Sequence, residues 1–322
     1  MMTRNGRKPA TTGSRTEKMD FDSTAIFQRV QTAYAMEVVA RTRAIVIGTG
    51  GAAGFVEDLA RSGIQDLVLV DHDVVTAPNI ATQQAYLDTI GMPKVACLAE
   101  RLGRINPAVR VSAYQKRLEE ISDTEFYDIA FLPVNSEPPV VTLLLGMTDN
   151  FYTQARVNRL SLQFGIPSLC AQMYAEGLCG EITLMYPGIT AACHRCMLKP
   201  RYQAYLQENY HNTVTSHGSP IWSTTRINAL AGSLAMALLH HGTDHQRWGN
   251  MLSRIGNRTL VQIRMHPDAP LKIFPRVFDD LDHCFFDEAV WLPQEPDPDC
   301  PECHGTGNLL DAKGTFTDTR DY

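Results

Sequence analysis

The apolar run Ala44-Ile-Val-Ile47 leads directly into Gly48-Thr-Gly50-Gly51-Ala-Ala53. A buried-strand candidate, then glycines at this spacing, then a helical pattern over Phe55–Arg61 leaves few folds open. The first glycine permits a tight turn, and the second lets a phosphate approach the backbone. A small residue at 53 lets helix and strand pack closely. The free N–H groups and partial positive charge of the helix start then face whatever lies above the strand. Asp71 ends the next apolar run, Leu67–Val70. It stands about 20 residues on, where a carboxylate reaches ribose hydroxyls.

Strand and helix patterns keep alternating. Lys94–Ile105 is a predicted helix, with Val95, Leu98, Leu102 and Ile105 near a 3.6 period. Val109–Ala113, Asp128–Leu132, Val140–Gly146, Pro167–Gln172 and Gly180–Tyr186 read as strands, and Thr153–Phe164 as a helix. The expected class is α/β: a Rossmann-like sheet with right-handed crossovers, flanking helices and additional C-terminal strands. Residues 24–42 read as a helical lead-in. Lys199–Pro220 reads as a loop crossing the nucleotide site. Ser223 is the expected N-cap of a helix with the apolar stripe Ile227, Leu230, Ala231, Leu234 and Leu238. Thr259–Phe274 reads as extended. One domain is expected over 21–305, with polar tails at 1–20 and 306–322.

Composition narrows the partners. The net charge of −6 argues against nucleic acid. No apolar run approaches the roughly 20 residues that span a bilayer. The N-terminus has no signal-peptide core, so the expected location is the cytoplasm. Eight cysteines in such a chain point to thiols and metal rather than disulfides. Four of them form the pairs Cys193-His-Arg-Cys196 and Cys300-Pro-Glu-Cys303. Four thiolates make a closed tetrahedral set suited to structural zinc, a knuckle that ties the C-terminal segment to the sheet. His194 and His304 are the adjacent alternatives.

The glycine loop alone fits NAD, FAD, S-adenosylmethionine or ATP. No G-x-x-x-x-G-K-[ST] sequence is present, so ATP would not sit in a P-loop. The residues after Asp71 narrow the choice. Leu69-Val-Asp71-His-Asp73-Val-Val-Thr-Ala-Pro-Asn79-Ile-Ala-Thr-Gln83 resembles the LVDxDxVxxxNLxRQ segment of the ThiF/MoeB and ubiquitin-activating enzyme family. The resemblance continues in Ile90-Gly91-Met-Pro93-Lys94-Val and in Arg104-Ile-Asn106-Pro107. It also covers Asp149-Asn150-Phe151 through Asn158, Gly177-Leu-Cys-Gly180 and both cysteine pairs, and so spans about residues 26–305.

The resemblance implies Mg-ATP-dependent adenylation of the C-terminal glycine carboxylate of a small ubiquitin-like or sulfur-carrier protein. It implies a dimer, either a homodimer or a pseudo-symmetric heterodimer. By position, Gly48, Gly50 and Gly51 would cradle the nucleotide, and Asp71, together with Asp73, would fix the ribose. Asn79 and Gln83 would hydrogen-bond phosphates or ribose. Lys94 would neutralise developing charge, and Asp149 would hold magnesium. Arg29 stands in for an arginine that the family supplies from a partner subunit.

The chain departs from the pattern at two arginines. Thr82 and Gln154 occupy their places, which leaves Arg156, Arg159 and Arg61 as substitutes. The expected crossover loop has no cysteine for a thioester; Ser216 and His217 stand near that place. Cys284, preceded by His283, is the remaining candidate thiol. Cys97 and Cys170 read as core, and Cys179 is open. Three rival readings remain: a peptide-adenylating enzyme, a degenerate scaffold subunit, and a nicotinamide-dependent oxidoreductase.

Overall fold

In the computed structural model, residues 23–133, 138–207, 218–269 and 286–303 are described. The expected tails, the central part of the crossover segment and Cys284 lie outside them. A short 3-10 turn, Ser23–Phe27, leads to helix α1 (Met36–Ala40) and strand β1 (Thr42–Ile47). The chain continues through α2 (Ala53–Ser62), β2 (Asp66–Val70), α3 (Asn79–Thr82), α4 (Lys94–Ile105) and β3 (Arg110–Tyr114). Next come α5 (Asp123–Phe131), β4 (Val141–Gly146), α6 (Phe151–Phe164), β5 (Ser168–Tyr174) and β6 (Cys179–Met185). Helices α7 (His194–Met197), α8 (Lys199–Tyr205), α9 (Ile221–Leu239) and α10 (Met251–Ile255) precede β7 (Leu260–Arg264) and β8 (Glu288–Leu292).

The eight strands form one sheet in the order β3-β2-β1-β4-β5-β6-β7-β8. The first five are parallel; β6, β7 and β8 pair antiparallel. All six residues of β1 are buried, because helices cover both faces of a central parallel strand. One face is filled by α2, α4 and α9 through Phe55, Leu59, Leu98, Leu102, Leu234 and Leu238. The other is filled through Phe126 of α5 and Val157 and Leu160 of α6. The chain leaves β1 toward β2 and returns beyond it as β4, so β1 and β4 flank the point where the strand order reverses. That is where open α/β sheets leave a crevice. Among the described residues, no helix is long and apolar enough to cross a membrane.

Three expectations are corrected. Asp128–Leu132 is not a strand; its apolar residues belong to α5. Ser122 caps that helix by accepting Glu125 N–H at 3.1 Å, and Asp123 and Glu125 favour its positive end. Its C-terminal carbonyls, Ile129 and Leu132, receive the buried Arg43 guanidinium, which also pairs with Asp66 on β2. Ser223 is not the cap of α9. Pro220 holds that place, and Ser223 lies buried in the first turn. Lys199–Tyr205 is helical rather than loop, with Pro200 in its first turn, where a missing N–H costs nothing.

Candidate functional site

A cavity of about 400 Å³ opens above the ends of β1, β2 and β4. Its floor is the glycine loop. Gly48 has φ of +87°, and a Cβ there would lie 2.5 Å from the Met147 carbonyl oxygen. Glycine is therefore required where the loop passes the end of β4. A Cβ on Gly50 would meet the Gln83 side chain at 2.9 Å. A Cβ on Gly51 would come within 3.3 Å of the Thr224 methyl on α9. From the same helix, Asn228 donates to the Gly51 carbonyl at 2.8 Å.

Asp71 directly follows β2, buried, and orders its surroundings. One carboxylate oxygen accepts Thr49 N–H at 2.7 Å and the Thr49 hydroxyl at 3.1 Å. The other accepts Asp73 N–H at 2.9 Å. Asp73 is half exposed and pairs with Lys94 Nζ at 2.9 Å. Partial burial pushes the Asp73 carboxyl up, but the hydrogen bond and charge of Lys94 outweigh it. With help from His72 and Arg117, they hold the carboxyl below its usual range. Asp149 is exposed in the loop after β4, between Thr148 and the α6 cap Asn150, and lines the same cavity as Lys94 at the start of α4.

The structure thus gathers Gly48, Gly50, Gly51, Asp71, Asp73, Gln83, Lys94 and Asp149 around one space. Asn79 is not among the residues lining it. Its Oδ1 accepts Thr76 N–H at 2.8 Å and closes the turn before α3. Arg29 is exposed beyond the 3-10 turn and does not line the cavity either. Arg156 is corrected as a substitute cation. It is almost fully buried, paired with Asp123 at 3.1 Å, and donates to the Leu118 and Ile121 carbonyls. Arg159 lies 3.6 Å from Glu302, and Arg61 is beside Glu57. Neither lines the cavity.

Several lining residues were missed by sequence reasoning. Lys116, Arg117 and Glu119 reach the cavity from the segment after β3. Parallel pairing of Val70 with Tyr114 places that segment beside Asp71. The adjacent Lys-Arg pair behind a strand end was its one signal. Thr224 and Asn228 come from α9, whose apolar stripe was legible but whose polar positions carried no mark. Glu119 accepts the Thr153 hydroxyl at 2.7 Å, which joins the new wall to α6.

The two cysteine pairs meet. The four Sγ atoms lie within 4.8 Å of one another. Neighbouring sulfurs are 3.7 Å apart for Cys193–Cys196, 3.8 Å for Cys193–Cys300 and 3.4 Å for Cys196–Cys303. A tetrahedron of sulfurs about 2.3 Å from zinc has edges of roughly 3.8 Å, so the donor set fits that metal. The thiols act on one another. Cys193 and Cys196 draw Cys300 well down by hydrogen bonding, whereas Cys193 and Cys300 push Cys196 up. His194 is turned away from the sulfurs in role: its Nδ1 meets the Tyr202 hydroxyl at 2.9 Å. His304 lies outside the described residues.

The remaining described thiols are buried. Burial pushes Cys170 up to about 12. Burial, then the Glu181 charge, pushes Cys179 up to about 11. Burial also raises Cys97. None of the three is poised as a thiolate at neutral pH.

The family model described as "ThiF family" matches residues 21–257. The chain is 29% identical over 157 residues to a ubiquitin-like modifier-activating enzyme 5 of Dictyostelium discoideum, covering 48% of this chain and 40% of that protein. It is 27% identical over 163 residues to the molybdopterin-synthase adenylyltransferase of Salmonella typhimurium, covering 50% and 60%. The chain therefore spans about half the length of these curated relatives. Among solved structures, E. coli MccB with AMPCPP and MccA superimposes with a TM-score of 0.57 at 17% identity, covering 83% of this chain and 68% of that one. At that identity the likeness concerns the fold. With the family model matching well over half of its length, the chain belongs to the ThiF family.

Proposed function

We propose that this chain uses Mg-ATP to adenylate the C-terminal glycine carboxylate of a small ubiquitin-like or sulfur-carrier protein. The observation that carries this reading is the gathering of the glycine loop, Asp71, Lys94 and Asp149 around one cavity at the switch point of the sheet. The glycine loop and the start of α2 would cradle phosphates, and Asp71 would take the ribose. The substrate carboxylate oxygen attacks the α-phosphorus, and the bond to the leaving pyrophosphate breaks. Two anions must approach for this, so cationic neutralisation dominates the barrier. Lys94 would supply it from one side once it leaves Asp73. Asp149 would hold the magnesium ion, which supplies charge neutralisation at the phosphates. The four cysteines would hold zinc as a structural element, because all its positions are then filled by protein. The chain would act as a homodimer or a pseudo-symmetric heterodimer.

A short peptide is the second substrate reading. It is favoured by the superposition on MccB, which was solved with MccA and covers 83% of this chain. The segment 199–220 has no cysteine, so neither substrate would pass to a thioester there.

ATP–pyrophosphate exchange tests both. A panel of small proteins and peptides with free C-terminal carboxylates is assayed with the unaltered chain and with Asp149→Ala. Exchange that needs one substrate and is lost in Asp149→Ala supports adenylation and names the substrate class. ATP binding without exchange across the panel would move the reading to a scaffold subunit.

A further inference from the structure

Helix α6 carries a polar contact with each of the two sites. At its first turn the Asn150 side chain accepts Thr153 N–H at 3.0 Å. Gln154, one turn in, donates its Nε2 to the Thr148 carbonyl at 2.6 Å. The loop bearing Asp149 is therefore tied to the helix through the residues on either side of it. Further along, Asn158 Oδ1 accepts His194 N–H at 3.0 Å, and its Nδ2 donates to Glu302 Oε2. The second oxygen of Glu302 lies 3.0 Å from Arg195 Nη1 and 3.6 Å from Arg159 Nε. His194 and Arg195 stand between the cysteines of the first pair, and Glu302 between those of the second. Asn158 is 1% exposed and Glu302 is 5% exposed.

A buried carboxylate is retained only where charge and hydrogen bonds compensate its lost hydration. Here the compensating groups come from two elements: Asn158 and Arg159 on α6, and Arg195 beside the first cysteine pair. From the cap Asn150, next to Asp149, to Asn158 the chain runs along one helix, about 12 Å at 1.5 Å per residue. A helix of this length moves as a rigid body, so a displacement at one end reaches the other.

We propose that Glu302 is a positioning residue for the nucleotide site: through Asn158 and α6 it fixes the loop that carries Asp149, and so couples the four-cysteine site to the pocket. The functional part of this inference rests on the reading of Asp149 as the magnesium carboxylate. Groups that orient a metal ligand from behind typically change metal affinity by about 10- to 100-fold when removed.

The test uses the full chain and Glu302→Gln, which keeps shape and removes charge. Zinc content by elemental analysis should stay equal to that of the unaltered chain. Amide hydrogen exchange over residues 147–158 should speed up roughly tenfold, with β1 and β2 unchanged. The magnesium concentration that half-saturates ATP binding should rise roughly tenfold, while AMP binding without magnesium stays the same. In an Asp149→Ala background, Glu302→Gln should add nothing to the magnesium dependence. Unchanged exchange in 147–158 overturns the coupling. So does a loss of protection across the whole sheet, or a loss of zinc, because each marks a general structural role. Asn158→Asp, which sets a carboxylate against Glu302 but still accepts His194 N–H, gives the same readouts if Glu302→Gln does not fold. Failure of the unaltered chain to bind ATP overturns the adenylation reading and leaves the exchange data to decide the coupling.

Discussion

Asn228 on α9 donates its side-chain amide to the Gly51 carbonyl at 2.8 Å, across 177 positions of sequence. It is buried, and it ties the glycine loop to α9. Asn228→Ala would leave that carbonyl without the amide and the loop free to shift. The expected cost is about 1 kcal/mol of stability, read from chemical denaturation. ATP affinity should fall with it, read by calorimetry, whereas Asn228→Asp cannot donate and should not rescue.

Lys94 is paired with Asp73 and lines the pocket. Lys94→Met keeps the aliphatic stem that packs at the start of α4 and removes the charge. We expect exchange of pyrophosphate to fall by about 100-fold or more, in line with loss of a transition-state cation. The melting temperature should change little, since an ion pair whose Asp73 side is half exposed to solvent contributes little to folding. A large drop in melting temperature would show that the lysine is structural.

Zinc and the fold should stand together. One zinc per chain is expected from elemental analysis of protein purified without chelator. Cys300→Ser removes a buried thiolate from the cluster and should abolish stoichiometric zinc. It should also destabilise the chain by several kcal/mol, because metal binding is coupled to folding. Full retention of zinc in Cys300→Ser would overturn the ligand set.

His240 provides a pH test away from both sites. Its Nε2 accepts Ala35 N–H at 2.9 Å, so its Nδ1 carries the proton and donates to the Met236 carbonyl at 2.8 Å. Burial lowers its pKa, with a smaller lowering by His245, while the Met236 carbonyl acts in the opposite sense. The unfolded state then binds a proton before the folded state does. The stabilisation is complete above the ordinary histidine value of 6.5 and is lost as pH falls from there through the folded value. Melting temperature should therefore decline below pH 6.5, and less steeply in His240→Gln. Equal slopes would show that another group governs the decline.

Much of the site was legible because its chemistry is local. Gly48 must adopt a positive φ, Asp71 must end a strand, and Lys94 must begin a helix; each demand falls on a short stretch of chain. The Cys-x-x-Cys pairs announced themselves in the same way, and the structure brings them within metal-binding distance. Asp128–Leu132 was misread because a short apolar run fits a strand or a helix equally well. The Ser122-x-x-Glu125 cap, just upstream, is what distinguishes them.

Arg156 and Arg117 show the limit of such reading. Arg156 lies within a family-like segment and Arg117 in none, yet the first is buried against Asp123 and the second lines the pocket. Their roles depend on which neighbours the sheet order brings up, and no local pattern carries that information. The sequence by itself determined the alternating architecture, the glycine loop and the two Cys-x-x-Cys pairs, because backbone sterics, periodicity and ligand type act over a few residues. Only the tertiary structure decided which cations face the pocket, that Asn228 holds the loop, and that α6 joins the two sites. Those relationships are set by burial and by contacts between segments far apart in the chain.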